Sequence, residues 1–263
     1  MMGYGDEIIG SGLARGAKAR GRRIAFGDGR KISWSSWAPV IYENNPNVAK
    51  PGSEGAKDLE WVAHYKGARK YNKQVNGKWV WNYDFKPVPG EFFFSEHEKA
   101  LAEKFEPGFI VIEPNVPWQK RVAPNKDWGE GKYEEVARRL IVGGYRVVQF
   151  KHSNSRRLIE GADIVELPNL RQVASVLSRA ALYIGPEGGM HHSAAAVGVK
   201  AVVLFGGFIP PRVTGYDMHI NLIGNSTEAC GHIDTCKHCQ AAMASISVDE
   251  VKEAALKLLG ATQ

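Results

Sequence analysis

The chain has 263 residues, of which 44% are hydrophobic and 24% charged, with 34 Lys and Arg against 28 Asp and Glu. These fractions are typical of a globular protein and exclude disordered, collagen-like and coiled-coil classes. Mean hydropathy is −0.29, and no apolar run approaches the roughly 20 residues that a membrane-spanning helix needs. No basic stretch precedes an apolar one near Met1, so we expect no secretion signal and a cytoplasmic location.

The positive charge is concentrated in the first part of the chain. Residues 1–105 contain 17 Lys and Arg and 12 Asp and Glu, whereas the remainder contains 17 and 16. A basic surface attracts phosphate, so this excess predicts a phosphate-rich partner, either nucleic acid or a phosphorylated glycan or lipid surface. A basic surface that only keeps the protein in solution explains the excess equally well.

Few regular elements are predicted before residue 106. Residues 8–20 are predicted to form a helix after a turn over residues 3–12, and residues 23–26 a strand. Residues 33–95 show little periodicity and are rich in Trp, Tyr, Asn, Pro and Gly. Aromatic rings among basic residues can stack bases or sugars beside phosphates, although a small irregular core of large rings is the interpretation that we favour for most of them.

From residue 106 onwards, predicted strands and helices alternate. The strands are residues 109–112, 145–150, 164–167, 182–185 and 201–205, and the helices are residues 132–141, 170–181, 191–197 and 248–259. This alternation is typical of βαβ units and a parallel sheet. We therefore predict a doubly wound α/β domain, which binds its ligands beyond the carboxyl ends of the strands.

The most informative segment is residues 183–198, where a strand is followed by a glycine-rich turn and then by a helix. The first backbone N–H groups of a helix are donors suited to an anion. Gly188 and Gly189 permit the close backbone approach that a diphosphate needs. Glu187 can accept hydrogen bonds from ribose hydroxyls or position a sugar.

This segment resembles the C-terminal signature of glycosyltransferase family 9, the heptosyltransferase-like enzymes, in which an acid and a glycine precede His-x-Ala-x-Ala and a strand ends in Phe-Gly-Pro-Thr. The matching positions are Glu187, Gly189, His192, Ala194, Ala196, Phe205 and Gly206. The sequence departs from the signature at three places. Glu187 stands where the family has Asp, Gly188 where it has Thr, and Gly207-Phe208 where it has Pro-Thr.

Two further segments are similar to the same family. Lys126 and Trp128 resemble its Lys-x-Trp element, whose lysine contacts the donor phosphate. Gly5 and Asp6 resemble the Gly-Asp motif that opens these enzymes, and the resemblance implies that Asp6 is the catalytic base. Capping of the first helix is the structural alternative for Asp6, and a hydrogen bond to the backbone is the alternative for His192.

The resemblance implies a GT-B-like α/β fold with two Rossmann-like lobes, of which the N-terminal one is shortened and irregular. Residues 1–106 would form the acceptor-side lobe and residues 107–263 the donor-binding lobe. The implied reaction moves a sugar from a nucleotide-diphosphate sugar to an acceptor hydroxyl, with inversion and without a catalytic metal. The implied donor-binding residues are Lys126, Glu187, Gly188, Gly189, Met190, His192, Gly206 and Gly207, and the acceptor-side candidates are Gly5, Trp61, Arg69 and Lys70.

Two acceptors remain open at this stage. One is a surface glycan such as lipopolysaccharide, and the other is a nucleic acid, for example a hydroxymethylated base in viral DNA. The basic charge and the aromatic and basic residues of segment 57–86 favour the second, because a transferase acting on a base must extrude it. The oligomeric state is not predicted.

Two other functions compete with sugar transfer. A non-catalytic nucleotide- or sugar-binding module is motivated by the departures at Gly188 and Gly207. A Rossmann dehydrogenase is less well supported, because no Gly-x-Gly-x-x-Gly follows the first strand of the α/β domain.

All three cysteines of the chain fall within ten residues, at Cys230, Cys236 and Cys239. Their odd number argues against disulfides in a cytoplasmic protein. Three thiols together with His232 or His238 suit a tetrahedral structural zinc site, although the spacing is not that of a standard zinc finger. The ligand set that we predict is Cys230, His232, Cys236 and Cys239.

Overall fold

The computed structural model describes residues 2–260. The elements of its N-terminal half are α1 (Tyr4–Ala19), β1 (Arg23–Phe26), α2 (Ala38–Ile41), β2 (Leu59–Val62), β3 (Asn72–Val75), β4 (Lys78–Trp81) and α3 (Glu96–Glu103). Strands β1 and β2 pair in parallel, and β3 and β4 form an antiparallel hairpin. The N-terminal lobe is thus small and largely irregular, as predicted.

The C-terminal half is a mixed α/β layer structure. Its elements are β5 (Ile110–Ile112), a 3-10 turn (Ala123–Asn125), α4 (Glu130–Val142), β6 (Val147–Lys151), β7 (Asp163–Glu166), α5 (Leu170–Leu177), β8 (Leu182–Pro186), α6 (Gly189–Ala196), β9 (Ala201–Leu204), α7 (Pro211–Thr214), β10 (Ile220–Leu222), α8 (Lys237–Ser245) and α9 (Val248–Leu259). The predicted alternation of strands and helices is confirmed.

Six parallel strands form the central sheet in the order β10-β9-β8-β5-β6-β7. From β5 the chain continues to β6 and β7 on one side of the sheet, whereas from β8 it continues to β9 and β10 on the other. The strand order therefore reverses between β5 and β8. Open α/β sheets bind ligands in the crevice beyond the carboxyl ends of the strands at such a reversal. Glu113 follows β5 and Glu187 follows β8, so both carboxylates lie at this edge.

Both faces of the sheet are covered at its centre, which explains why β5, β8 and β9 are almost continuously apolar. Val111, Tyr183 and Val203 pack into one buried cluster, on the face covered by α5 and α6. Ile110, Ile184 and Val202 alternate with them and pack on the other face against α4 and α9.

The prediction of a turn over residues 3–12 is wrong, because α1 begins at Tyr4. Its glycines serve close packing rather than a turn. A Cβ atom on Gly10 would lie 2.4 Å from the hydroxyl of Tyr42, and one on Gly12 would lie 2.2 Å from the carbonyl oxygen of Val88. Tertiary contacts therefore select glycine here, in spite of its low helix propensity.

The last helix, α9, matches its prediction. Ser247 caps it, with its hydroxyl oxygen accepting from the backbone N–H of Glu250 at 3.1 Å. The segment between β9 and α9 also contains α7, β10 and α8, which the sequence patterns did not predict. Within residues 2–260, no helix is both long and apolar enough to cross a membrane.

Candidate active site at the lobe interface

Asp6 lies in the first turn of α1, at the boundary with the C-terminal lobe. Its Oδ2 accepts from the backbone N–H of Gly3 at 2.6 Å, so Asp6 stabilises the helix start from the third helical position, whereas the N-cap itself is Gly3 and not Asp6. Its Oδ1 pairs with Nε of Arg69 at 3.1 Å and also accepts from the hydroxyl of Tyr71. The carboxylate is only 11% exposed. The ion pair and the two donors keep it in one orientation.

The two partners of Asp6 enter from the segment before β3. Arg69 was predicted as an acceptor-side residue, whereas Tyr71 was not predicted. Burial and then the charge of Asp6 raise the pKa of Tyr71 well above its ordinary value, so its hydroxyl stays protonated and donates to the carboxylate. His64 adds a third support, because its Nε2 lies 2.7 Å from the backbone oxygen of Asp6.

On the opposite lobe, Lys126 and Glu187 form a buried ion pair. Lys126 Nζ contacts Oε2 of Glu187 and donates to its backbone oxygen at 3.2 Å. His192 Nε2 lies 3.4 Å from the other carboxylate oxygen, and His192 Nδ1 lies 2.9 Å from the hydroxyl of Tyr216. Burial opposes ionisation of Glu187, but Lys126 and then His192 outweigh it, so the pKa of Glu187 is well below its ordinary value.

A second lysine, Lys120, stands between the two lobes. A Cβ atom on Gly3 would lie 3.5 Å from its Nζ, so this ammonium group reaches the start of α1. Loss of hydration and then repulsion by Lys126 lower the pKa of Lys120, whereas Asp6 and Glu187 act in the opposite direction. The pKa of Lys120 therefore depends on charged groups of both lobes. No motif singled it out in the sequence.

The two glycines at the start of α6, Gly188 and Gly189, have different surroundings. A Cβ atom on Gly188 would meet no atom within 4 Å, so the backbone there is open to a ligand. Gly189 instead faces Tyr4 and Gly5 of α1, with Cβ distances of 3.5 Å or more. Met190 is half-buried against the sheet. The first N–H groups of α6 are thus presented beside Lys126 and Glu187.

The need for glycine at positions 206 and 207 is explained by packing under the loop that follows β9. Gly206 has a φ of 57°, and a Cβ atom there would collide with the sulfur of Met243. A Cβ atom on Gly207 would lie 2.7 Å from Cε1 of His238. Both predicted donor residues therefore touch α8, and their lack of a side chain has a structural cause.

The remaining acceptor-side candidates are Gly5, Trp61 and Lys70. Gly5 packs against His192, with 2.8 Å between a Cβ atom on Gly5 and Cδ2 of the ring. Trp61 packs with a small apolar cluster of the N-terminal lobe. Lys70 is exposed, and its backbone N–H approaches Nδ1 of His64 at 3.5 Å. Of all the acceptor-side candidates, Gly5 and Arg69 are the ones in contact with predicted site residues.

Beneath α6 lies a set of buried histidines. His191 is fully buried, and neither of its ring nitrogens has a hydrogen-bond partner among the described residues. Its pKa lies well below the ordinary value, first because of burial and then because of His192. The pKa of His219 is lowered to about 4, mainly by burial. Both rings are therefore neutral near pH 7.

Glu187, His191 and His192 are close enough to one another to be tested as a cation site. Lys126 already places a positive charge on one oxygen of Glu187, and His192 approaches the other. A cation held by these three side chains would therefore share the Glu187 carboxylate with the ammonium group of Lys126.

The cysteine cluster forms separately, at the start of α8. The three thiols converge there as predicted, but the histidine grouped with them is His238 and not His232. The reason is that α8 begins at Lys237 and carries His238 on the side of the thiols, whereas His232 pairs through its backbone with Lys78 of β4.

A groove of about 810 Å³ adjoins the site through Tyr216 and receives residues from both lobes. It is lined by Tyr83, Asp84, Phe85, Lys86, Pro211, Arg212, Gly215, Tyr216, Asp217, His219 and Asn221. Tyr216, which lines this groove, contacts Nδ1 of His192 through its hydroxyl.

The sequence model described as glycosyltransferase family 9 (heptosyltransferase) matches residues 68–244. The chain belongs to glycosyltransferase family 9. The resemblance found in the sequence is thereby confirmed, and so is the class of enzyme, a transferase of sugars. No curated protein sequence matches the chain.

Solved structures agree with the GT-B-like fold of this family 9 protein. The glycosyl transferase family 9 protein from Veillonella parvula DSM 2008 superposes with a TM-score of 0.69 at 14% identity, over 99% of this chain and 96% of that one. TibC, an iron-containing dodecameric glycosyltransferase from enterotoxigenic E. coli H10407, superposes with a TM-score of 0.63 at 16% identity, over 98% and 73%. TibC has also been solved with ADP-D-beta-D-heptose, and that structure superposes with a TM-score of 0.61.

Proposed function

We propose that this family 9 enzyme transfers a sugar from a nucleotide-diphosphate sugar to an acceptor hydroxyl, with inversion at the anomeric carbon and without a catalytic metal. The observation that carries the proposal is that Asp6 follows Gly5, which lies against the start of α6, and that its charge acts on Lys120 of the other lobe. Gly5, next to Asp6, touches His192 of α6.

The donor diphosphate would bind to the C-terminal lobe. Lys126 and the first N–H groups of α6 are donors on the same side of the sheet edge, and Gly188 leaves space for close approach. Negative charge grows on the diphosphate as the sugar departs, so fixed positive groups lower the barrier. Lys120 supplies a second ammonium group at the cleft. Lys126 and Lys120 would stabilise the diphosphate charge that a metal ion stabilises in other transferases, which supports metal independence.

Asp6 would act as the general base. A carboxylate oxygen has two lone pairs, and Oδ2 uses one of them for the N–H of Gly3. The other can accept the proton of an acceptor hydroxyl as its oxygen attacks the anomeric carbon. Arg69 and Tyr71 fix the carboxylate through Oδ1, so Oδ2 keeps its direction during the reaction. Direct attack by the acceptor inverts the anomeric configuration.

The acceptor would approach from the N-terminal lobe and carry phosphate. The exposed lysines around the β3–β4 hairpin are Lys66, Lys70, Lys73 and Lys78. Their charge suits either a phosphorylated surface glycan of the lipopolysaccharide type or a hydroxymethylated base in DNA. The salt dependence of binding separates the two, because affinity for duplex DNA falls steeply and linearly in log–log form as salt rises.

The test has a binding arm and a transfer arm. A panel of nucleotide sugars is screened for a rise in melting temperature, and the stabilising sugar is then used in transfer and hydrolysis assays. We expect Asp6→Asn to keep the donor-induced rise while transfer falls at least 100-fold, with an inverted anomer as the wild-type product. Unchanged transfer in Asp6→Asn refutes the base. Donor binding by the wild type with neither transfer nor hydrolysis favours the non-catalytic module instead.

A further inference from the structure

Four side chains at the start of α8 form a compact cluster outside the active site: Cys230, Cys236, His238 and Cys239. Their ligand atoms all lie within 4.8 Å of one another. The sulfur of Cys230 is 3.7 Å from that of Cys236 and 3.0 Å from that of Cys239. All three cysteines are free thiols.

The Cys230–Cys236 distance of 3.7 Å is that of an edge of a metal-centred tetrahedron, whereas the 3.0 Å between Cys230 and Cys239 would have to lengthen when an ion binds. A Zn–S bond of about 2.3 Å places two sulfurs of a tetrahedral site about 3.8 Å apart. Three thiolates and one imidazole are also a donor set of structural zinc sites, because Zn²⁺ accepts both sulfur and nitrogen and has no redox chemistry of its own. Cys239 is fully buried, whereas His238 is exposed, so an ion can enter from the histidine side.

The surroundings of the cluster hold its backbone in place. Oδ1 of the fully buried Asn125 accepts from the N–H of Cys236 at 2.7 Å, and its Nδ2 donates to the backbone oxygens of His232 and Asp234. The backbone N–H of His232 lies 3.5 Å from the sulfur of Cys230. Such outer contacts orient metal ligands and are part of a built site.

We propose that Cys230, Cys236, His238 and Cys239 bind one Zn²⁺ ion, and that this ion fixes the contact between the two lobes. Each thiol gives up its proton to solvent as its sulfur binds the metal, and neutral imidazole supplies the fourth bond. The proposal replaces His232, which the sequence favoured, with His238.

The link to the other lobe runs through the loop that begins at Cys230. The N–H of Trp79 in β4 donates to the carbonyl of Gly231 at 2.8 Å, and Lys78 pairs with His232 as an antiparallel bridge. Gly231 has a φ of 63°, and a Cβ atom there would lie 2.1 Å from the oxygen of Trp79. The cysteine loop is therefore joined to the outer edge of β4 by a single β-bridge.

From the hairpin, the link reaches Asp6. The guanidinium of Arg69 lies 4.8 Å from the centre of the Trp79 ring, and Arg69 pairs with Asp6. On the other side, Asn125 precedes Lys126, the partner of Glu187. One ion at the cluster would thus hold in place the residues that support Asp6, through Trp79 and Arg69, and those that support Lys126, through Asn125.

The first experiment measures metal in the purified full-length protein by elemental mass spectrometry, without chelators and under reducing conditions. We expect one zinc ion per chain. An absence of metal, one iron ion per chain or a Cys230–Cys239 disulfide in this sample overturns the proposal. Replacement by Co²⁺ should produce the visible absorption of a tetrahedral cobalt thiolate, and spectra without thiolate bands count against the ligand set.

The ligand set is tested with a matched histidine pair. His238→Asn should lower zinc affinity at least tenfold in a chelator competition, whereas His232→Asn should bind like the wild type. The reverse result overturns the assignment of His238. Circular dichroism identifies any variant that fails to fold, and for such a variant the Co²⁺ spectrum of the wild type remains the deciding measurement.

The structural role is tested by hydrogen exchange, which needs no activity and is therefore independent of the proposed reaction. Removing zinc with a thiol reagent and a chelator should accelerate exchange of the Trp79 amide at least tenfold, because its acceptor is the carbonyl of Gly231. The amide of Val136 in the middle of α4 should be unaffected. Equal protection of Trp79 with and without zinc overturns the role of the ion in lobe contact.

Discussion

Gly5 of α1 lies against the imidazole ring of His192 in α6, so closely that a Cβ atom on Gly5 would stand 2.8 Å from Cδ2 of that ring. Asp6 follows Gly5, and His192 contacts Glu187 and Tyr216. The two halves of the proposed active site therefore meet at a position where one methyl group does not fit.

Gly5→Ala should impair transfer without unfolding the protein. The new methyl group must push His192 or the start of α1 by several tenths of an ångström, and displacement of reacting groups costs up to about 100-fold in rate. We expect kcat/KM to fall about 10- to 100-fold. Gly16→Ala in the same helix is the control, since it should keep wild-type activity and stabilise the fold by about 0.4 to 1 kcal/mol. Equal activity of both variants contradicts this prediction.

Lys126→Met should affect stability and donor binding together. It leaves the buried carboxylate of Glu187 without its ammonium partner, which costs about 3 to 5 kcal/mol for a buried pair. The double variant Lys126→Met/Glu187→Gln removes both charges, so chemical denaturation should show that most of the stability returns. Binding of a nucleoside diphosphate, measured by calorimetry, should stay weak in both. Recovery of binding in the double variant would show that Lys126 does not contact the phosphate.

Arg171→Lys should destabilise the protein strongly, although it keeps the charge. The Arg171 guanidinium is 2% exposed and bonds both carboxylate oxygens of Glu98 at 2.7 and 2.8 Å, together with the backbone oxygen of Phe93 at 2.6 Å. A lysine cannot reproduce this fork. We expect a loss of about 3 to 5 kcal/mol in urea unfolding. The exposed Arg138→Lys on α4 should change stability by less than about 0.5 kcal/mol.

Glu113→Gln should flatten the dependence of stability on pH. Burial raises the pKa of Glu113 from 4.5 to about 7, and hydrogen bonds from Asn115 only partly oppose this shift. Between these two values the folded form holds a proton that the unfolded form has lost, so stability falls as pH rises, by about 3 kcal/mol in all. Glutamine keeps an acceptor for the amides of Asn115.

The measurement is urea unfolding of wild type and Glu113→Gln at pH 5 and pH 7.5. The wild type should lose more stability over this interval than the variant, because the other titrating groups are common to both proteins. Identical losses would mean that Glu113 titrates near its ordinary pKa.

The C-terminal sheet could be predicted because its signal is local. Apolar runs of four or five residues, separated by helical spacing, mark strands covered on both faces. The turn at Gly188 and the cap at Ser247 follow from residue types a few positions apart. The same reasoning failed in α1, where glycines are selected by Tyr42 and Val88 far along the chain.

The site residues that belong to short sequence motifs could be predicted. The residues that only the folded chain brings to the site could not. Tyr71 contacts Asp6 across 65 positions, and Lys120 reaches the cleft from a loop without regular structure. His232 and His238 each lie two positions after a cysteine, so this spacing does not choose between them, and only the folded structure groups His238 with the thiols. Such choices depend on three-dimensional contacts that spacing does not contain.

The backbone pairing of Lys78 with His232 has a consequence for synthesis on the ribosome. The hairpin is complete in sequence early, but the segment that pairs with Lys78 is translated more than 150 residues later. Contacts between distant positions form slowly because a long loop must close first. The N-terminal lobe therefore gains this contact only after residues 230–232 have emerged, and until then the backbone N–H of Trp79 lacks its acceptor at Gly231.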